Sequence, residues 1–158
     1  MAVDYFLKLD GIEGESADKA HAKEIELLSF GWGVSQAGAG AHGGRGVGKA
    51  IFQEFVFGAR VSKASPKLFL ACASGQHVKS AVLTCRRSGG AQLEFLKIKL
   101  SDVLVSSYQV GGSFPEEPLD QVSLTFARID VEYTPSSQRG KAEPSVKAGW
   151  DLKANKKV

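Results

Sequence analysis

Hydrophobic positions recur at every second residue over much of this chain, the period of a strand with one face buried. Residues 3–9, VDYFLKL, mix aromatic, β-branched and leucine side chains and predict a first strand, ended by the turn GIEGES. Residues 24–34, EIELLSFGWGV, predict a second. On it Leu28, Phe30 and Trp32 share one face while Ser29, Gly31 and Gly33 share the other, which assigns the bulky set to the core. Residues 51–61, IFQEFVFGARV, have strand composition. Residues 78–100 read as a hairpin in which AVLTCRR and QLEFLKIKL flank SGGA, with Gly89 and Gly90 at the turn and Leu96, Ile98 and Leu100 alternating with Lys97 and Lys99. Residues 102–110, DVLVSSYQV, predict a further strand, and GGSFPEEP a loop.

Residues 121–133, QVSLTFARIDVEY, form one long strand whose apolar set changes parity. Val122, Leu124 and Phe126 are even; Ile129, Val131 and Tyr133 are odd. Either a β-bulge near Ala127–Arg128 keeps one face inward, or the two faces are covered in different places. VKAGWDL is a candidate last strand. The one helix predicted is SPKLFLACASG, about nine residues, with Ser65 as N-cap, Pro66 at the first helical position and Gly75 as the left-handed C-cap. Seven or eight antiparallel strands and a short helix predict an all-β sandwich or barrel, a single domain over residues 1–158. The tract 37–49 is an extended loop in it, and residues 135–158 form a C-terminal segment.

The glycine tract tests that picture. Gly43, Gly48 and Lys49 match G-x-x-x-x-G-K, and Gly38, Gly40 and Gly43 match G-x-G-x-x-G. A phosphate loop needs a buried parallel strand before it, a helix after it, and a hydroxyl after its lysine. Here Ala50 follows Lys49, and the next segment is strand-like. Six glycines in the thirteen positions from Ala37 to Lys49 match such patterns easily. The tract reads as a strand-to-strand loop in which missing side chains permit close backbone approach by a partner.

Composition adds exclusions. The hydrophobic fraction of 43% and charged fraction of 23% are those of an ordinary soluble globule, and no apolar run is long enough to span a bilayer. The opening MAVDYFLKLD meets an acid at Asp4 and has no basic leader, so no secretory signal is expected. Residues 135–158 carry six basic and two acidic side chains, against fourteen and fifteen in residues 1–134. The positive charge therefore sits in the tail, without interleaved aromatics for base stacking, and nucleic acid is not an expected partner. Cys72 and Cys85 are expected as free thiols. His21, His42 and His77 are scattered and read as surface or loop residues rather than metal ligands. No serine sits in a G-x-S-x-G elbow, and no carboxylate pair comes with a pocket. No cofactor, metal or catalytic residue is assigned, and a binding or structural role is expected.

Five segments go further: MAVDYFLKLDGIEGES, EIELLSFGWGVSQ with its glycine-rich loop, SPKLFLACASGQH, LSDVLVSSYQVGG and VKAGWDL. Together, in order and over essentially the whole chain, they resemble the haemolysin-coregulated protein (Hcp) family of bacterial type VI secretion. That resemblance implies a phage tail-tube-like β-barrel that assembles into homo-hexameric rings. The rings stack head-to-tail into a tube expelled from the donor cytoplasm, alongside spike and sheath components, and can carry small effector proteins. On this reading Ser29 and Gly31 line the lumen; the alternative is that Gly31 and Gly33 only flank Trp32 for packing or a bulge. Ile25 and Leu27 share their parity and contact cargo or a neighbouring subunit. The loop residues Gly38, Gly40, His42, Gly43, Arg45, Gly46 and Lys49 reach a neighbouring subunit or ring. The alternative function is a monomeric small-ligand-binding β-barrel, with its cavity inside one chain.

Overall fold

The computed structural model describes residues 2–36, 48–136 and 143–158. Its strands are β1 (Val3–Leu9), β2 (Ile25–Glu26), β3 (Ser29–Gly31), β4 (Val34–Gln36), β5 (Ala50–Phe52) and β6 (Phe55–Arg60), then β7 (His77–Arg87), β8 (Glu94–Gly111), β9 (Leu119–Thr125), β10 (Arg128–Tyr133), β11 (Val146–Asp151) and β12 (Lys156–Lys157). The helix α1 (Ala64–Ser74) precedes β7. Every strand pairing is antiparallel. The expected all-β architecture with one short helix is the one observed; the larger strand number comes from predicted strands that split and from the short β12, which was not expected.

The barrel closes through β1, β7, β8, β9, β6 and β3. The closing step lies at two adjacent residues. The Leu27 amide donates to the Tyr5 carbonyl on β1, while the Leu28 amide donates to the Gly58 carbonyl on β6. The chain changes partners there, and its side-chain alternation changes with it. Leu27 is 7% exposed and Leu28 44% exposed, the reverse of the parity reading. Leu28 and Ser29 both point outward, after which Phe30 and Trp32 turn back to pack on the core as expected. Leu27 thus leaves the set of surface contact candidates, and Ile25 is buried with it.

β8 is one strand of 18 residues where two were expected. Its first half pairs with β10 and its second with β9. Asp102 sits at the junction with φ of 53°, and the strand turns over there: Ile98 and Leu100 are buried before it, Val103 and Val105 after it. Opposite, the chain leaves the ladder at Phe126–Ala127, and the Ala127 amide donates to the Ser101 carbonyl. Leu104 pairs with Thr125 and Ser101 with Arg128, so no residue is inserted at Ala127–Arg128. The parity change in residues 121–133 is a joint twist of two strands rather than the proposed bulge. A register shift does occur on β8, between Val105 and Ser107.

α1 begins at Ala64, with Lys63 as N-cap and no side-chain cap. Ser65 is inside the first turn, and its hydroxyl donates to Asp120 on β9 instead of capping. Gly75 ends the helix with φ of 67°, in the left-handed region expected of it. Only one face of α1 is covered: Leu68 and Ala71 are buried, Phe69 and Leu70 exposed.

The barrel interior is filled by Leu7, Phe55, Phe57, Leu83, Ile98, Leu100 and Leu124. A lipocalin-type barrel needs that space for its ligand, so the filled interior removes the support for the ligand-binding alternative. Cys72 and Cys85 are free thiols as expected, and burial pushes the Cys85 thiol up to about 11.

Candidate functional site

Ser29 and Gly31 lie on the outer surface of the barrel wall. Pairing extends them into rows across four strands. Ser29 faces Gly58 on β6, then Gln121 on β9 and Gln109 on β8. Gly31 faces Val56, then Ser123 and Ser107. The inward positions between them are Phe30, Phe55, Phe57, Val122 and Leu124, which explains why these strands form: one face supplies the core and leaves the other free. The two rows form a patch of small, uncharged residues, and the next outward position on β6 is the charged Arg60. The patch is also closely packed. A Cβ on Gly58 would stand 2.8 Å from Ser29 Oγ and 3.2 Å from Gln121 Nε2, so a side chain there would have to displace the Ser29 hydroxyl and crowd the Gln121 amide. At Gly31 an added Cβ would meet only Val56 Cγ2, at 3.7 Å.

Sequence reasoning found Ser29 and Gly31 by alternation but missed the rest of this face. Gln121 and Ser123 were within reach, as the residues on either side of Val122. Gly58, Gln109 and Ser107 join them only through pairings across the fold.

The glycine tract runs between β4 and β5, which pair Val34 with Phe52, Ser35 with Ile51 and Gln36 with Ala50. A strand therefore follows Lys49, where a phosphate loop would start a helix. Val34 and Ile51 are exposed on this ribbon. Gly38, Gly40, His42, Gly43, Arg45 and Gly46 lie outside the described residues. Lys49 is described, and it borders a cleft with His77, Asp102 and Lys153.

Two of the histidines are engaged. His77 Nδ1 lies 2.8 Å from Asp102 on the surface. His21, expected at the surface, is buried. Its ring stacks on Phe6 at 4.5 Å, with Nδ1 3.0 Å from Glu24 and Nε2 2.6 Å from Glu94. Beside it Arg86, also buried, donates to both Asp18 oxygens at 2.9 and 2.8 Å and to Asp4 at 3.3 Å. These contacts clamp the irregular segment between β1 and β2 onto β7 and β8. Among the described residues no group of three or more His, Cys, Asp or Glu side chains could hold a metal ion.

The Arg86 hydrogen bonds, chiefly, hold the Asp18 carboxyl at about 2, below its ordinary 3.8. Burial pushes Glu94 up, but the bonds from His21 and Lys97 outweigh it, so Glu94 also sits below its ordinary value. A carboxyl held lower in the folded chain stabilises it fully above the unfolded value and releases that contribution as the pH falls through the folded value. Asp18 therefore contributes in full above about pH 4 and loses its contribution between about pH 4 and pH 2. Asp18→Asn is expected to flatten the fall in thermal midpoint over that window, with Glu94 supplying part of the remaining slope. A variant as steep as the wild type would contradict the assignment.

The described residues thus form a closed, filled antiparallel barrel with an uncharged patch on its outer wall. Comparison with known proteins gives the family. The family described as "Type VI secretion system effector, Hcp" matches residues 6–133. Protein hcp1 of Pseudomonas aeruginosa is 44% identical over 159 residues, covering 98% of each chain. Among solved structures, that of a type six secretion system protein superposes with a TM-score of 0.93 at 33% identity, over 99% of this chain and 100% of that one. Hcp1 from Salmonella typhimurium gives 0.82 at 36% identity, over 100% of both chains. The chain belongs to the Hcp family of the type VI secretion system, a family of secreted structural proteins and not of enzymes. Among the described residues no helix is long and apolar enough to cross a membrane.

Proposed function

We propose that this chain is a tube subunit: copies close into six-membered rings that stack head-to-tail, leave the cytoplasm through the secretion machine with its spike and sheath, and hold small effector proteins in the lumen. The number six rests on the resemblance to the Hcp family. The observation that carries the reading is the pair of uncharged outward rows across β3, β6, β9 and β8, centred on Ser29 and Gly31 and bordered by Arg60. A wall of short neutral side chains lets folded cargo of varied charge lie close without desolvating fixed ions. The exposed apolar ribbon β4–β5 supports it from the other side. Unpaired margins and apolar side chains of this kind are liabilities in a lone molecule and are covered when copies adjoin. In this scheme the glycine tract reaches the neighbouring copy.

Native mass and negative-stain images of the purified chain test the assembly, and Gly31→Arg tests the lumen. Closed rings are expected for both proteins, because Gly31 has room for a side chain. The variant is expected to retain less effector. A wild type that stays monomeric at high concentration would overturn the tube reading. Variant rings that hold cargo equally well would remove Ser29 and Gly31 from the lumen.

A further inference from the structure

The turn joining β8 to β9 is built to be presented. Phe114 at its tip is 98% exposed. The turn is held by backbone hydrogen bonds: the Glu116 amide donates to the Ser113 carbonyl at 2.8 Å within it, and the Pro118 carbonyl accepts from the Val61 amide after β6. Two carboxylates, Glu116 and Glu117, follow the aromatic ring, and the Arg60 guanidinium lies 4.0 Å from Glu117 alone. An aromatic ring held in water beside two acids on an ordered turn is unfavourable for a lone subunit.

A surface of the opposite character lies at the far end of the same hairpin. Leu104, Phe126 and Leu152 wall a cleft of about 390 Å³, and Lys49, His77 and Lys153 stand around it. Its one carboxylate, Asp102, is already shared: His77 Nδ1 is at 2.8 Å and Lys153 Nζ at 3.2 Å, and these two contacts, His77 first, hold it below the usual carboxylate range. One acid against two lysines leaves the cleft with surplus positive charge. It combines apolar walls with cations at the rim, the complement of an aromatic ring followed by carboxylates.

We infer that the Phe114–Glu117 turn of one copy docks into the Lys49–His77–Lys153 cleft of another copy of this chain, an inference that rests on the self-assembling reading above. Phe114 enters the apolar part, and Glu116 and Glu117 meet Lys49 and Lys153. The two partners cannot meet within one molecule. The cleft lies where Leu104 pairs with Thr125, and the turn lies just past the Gly111–Leu119 pair, roughly 20 Å away along a stiff two-stranded ribbon. Each copy thus carries one plug and one socket at opposite ends. Such a contact is heterologous and passes from copy to copy in one direction.

Charge reversal tests it in the full chain, with association followed by sedimentation velocity over a concentration series and folding by thermal melting. Glu116→Lys with Glu117→Lys, Lys49→Glu with Lys153→Glu, and Phe114→Ala alone are each expected to weaken self-association at least about tenfold while melting as folded proteins. The chain carrying both reversals is expected to regain association, because the signs match again. If the wild type assembles but the folded plug variants and Phe114→Ala assemble equally well, the docking is wrong and the tube reading stands. The same holds if the doubly reversed chain stays dissociated. A wild type that never assembles overturns both.

Discussion

Phe55→Ala is expected to lower the free energy of unfolding by about 3–5 kcal/mol, a third or more of the total for many domains of this size. Phe55 is fully buried at the start of β6. It is paired with Leu124 across the ladder, stacked against Phe30 at 6.0 Å and next to Phe57 at 6.5 Å. The Phe30 and Phe57 rings come from strands held in register, so neither can move far to fill the space left by the ring. The cavity term therefore adds to the lost transfer energy. Urea denaturation checks it: the midpoint should fall with the slope unchanged. The neighbouring Val56→Ala is the control. Val56 points to the outer face and is partly exposed, so its truncation should cost less than about 1 kcal/mol. Equal costs at the two positions would mean that the inward and outward faces of β6 are misassigned, and the candidate lumen face with them.

That face shows how far the sequence could be read. β1 was legible to the residue because an aromatic and β-branched run ends at a turn, both local signals. The hairpin at Gly89–Gly90 was legible for the same reason: the left-handed φ angles of 80° and 58° need glycine wherever the strands go. Leu27 and Leu28 were misread because their burial depends on which strand each amide bonds, Tyr5 or Gly58, and both partners are remote in sequence. Alternation cannot foresee a strand that changes neighbours midway. β8 was cut in two for a related reason. Asp102 looks like a strand end, yet an aspartate tolerates the left-handed φ that lets one strand bend and serve two partners. His21 was placed at the surface because Glu94, which helps bury it, is 73 residues away. Ser29 and Gly31 came from local alternation, whereas the uncharged rows that extend from them exist only once β6, β9 and β8 lie alongside.

Asp120→Ala is expected to cost about 2–4 kcal/mol, through hydrogen bonding rather than volume. Asp120 is 1% exposed on β9, and its two oxygens accept from two different elements: Ser65 Oγ in the first turn of α1, and Tyr108 Oη on β8 at 2.7 Å. Ser65 Oγ in turn accepts from the Ser62 amide at 3.0 Å, so one carboxyl group fixes where the helix begins against the barrel. Alanine strands the Ser65 hydroxyl in a buried position and leaves Tyr108 to find water at its half-exposed edge, and each buried hydroxyl without a partner costs about 1–3 kcal/mol. Tyr108→Phe should cost less, because it removes one donor and leaves Ser65 engaged. Asp120→Asn should fall between the two, since the amide keeps one acceptor and turns a second donor toward a hydroxyl that can rotate to accept. The order Ala, Asn, then Tyr108→Phe, read from denaturation midpoints, identifies a polar anchor. If Asp120→Ala were no more costly than Tyr108→Phe, α1 would be held by Leu68 and Ala71 alone, and the buried acid would have no structural role.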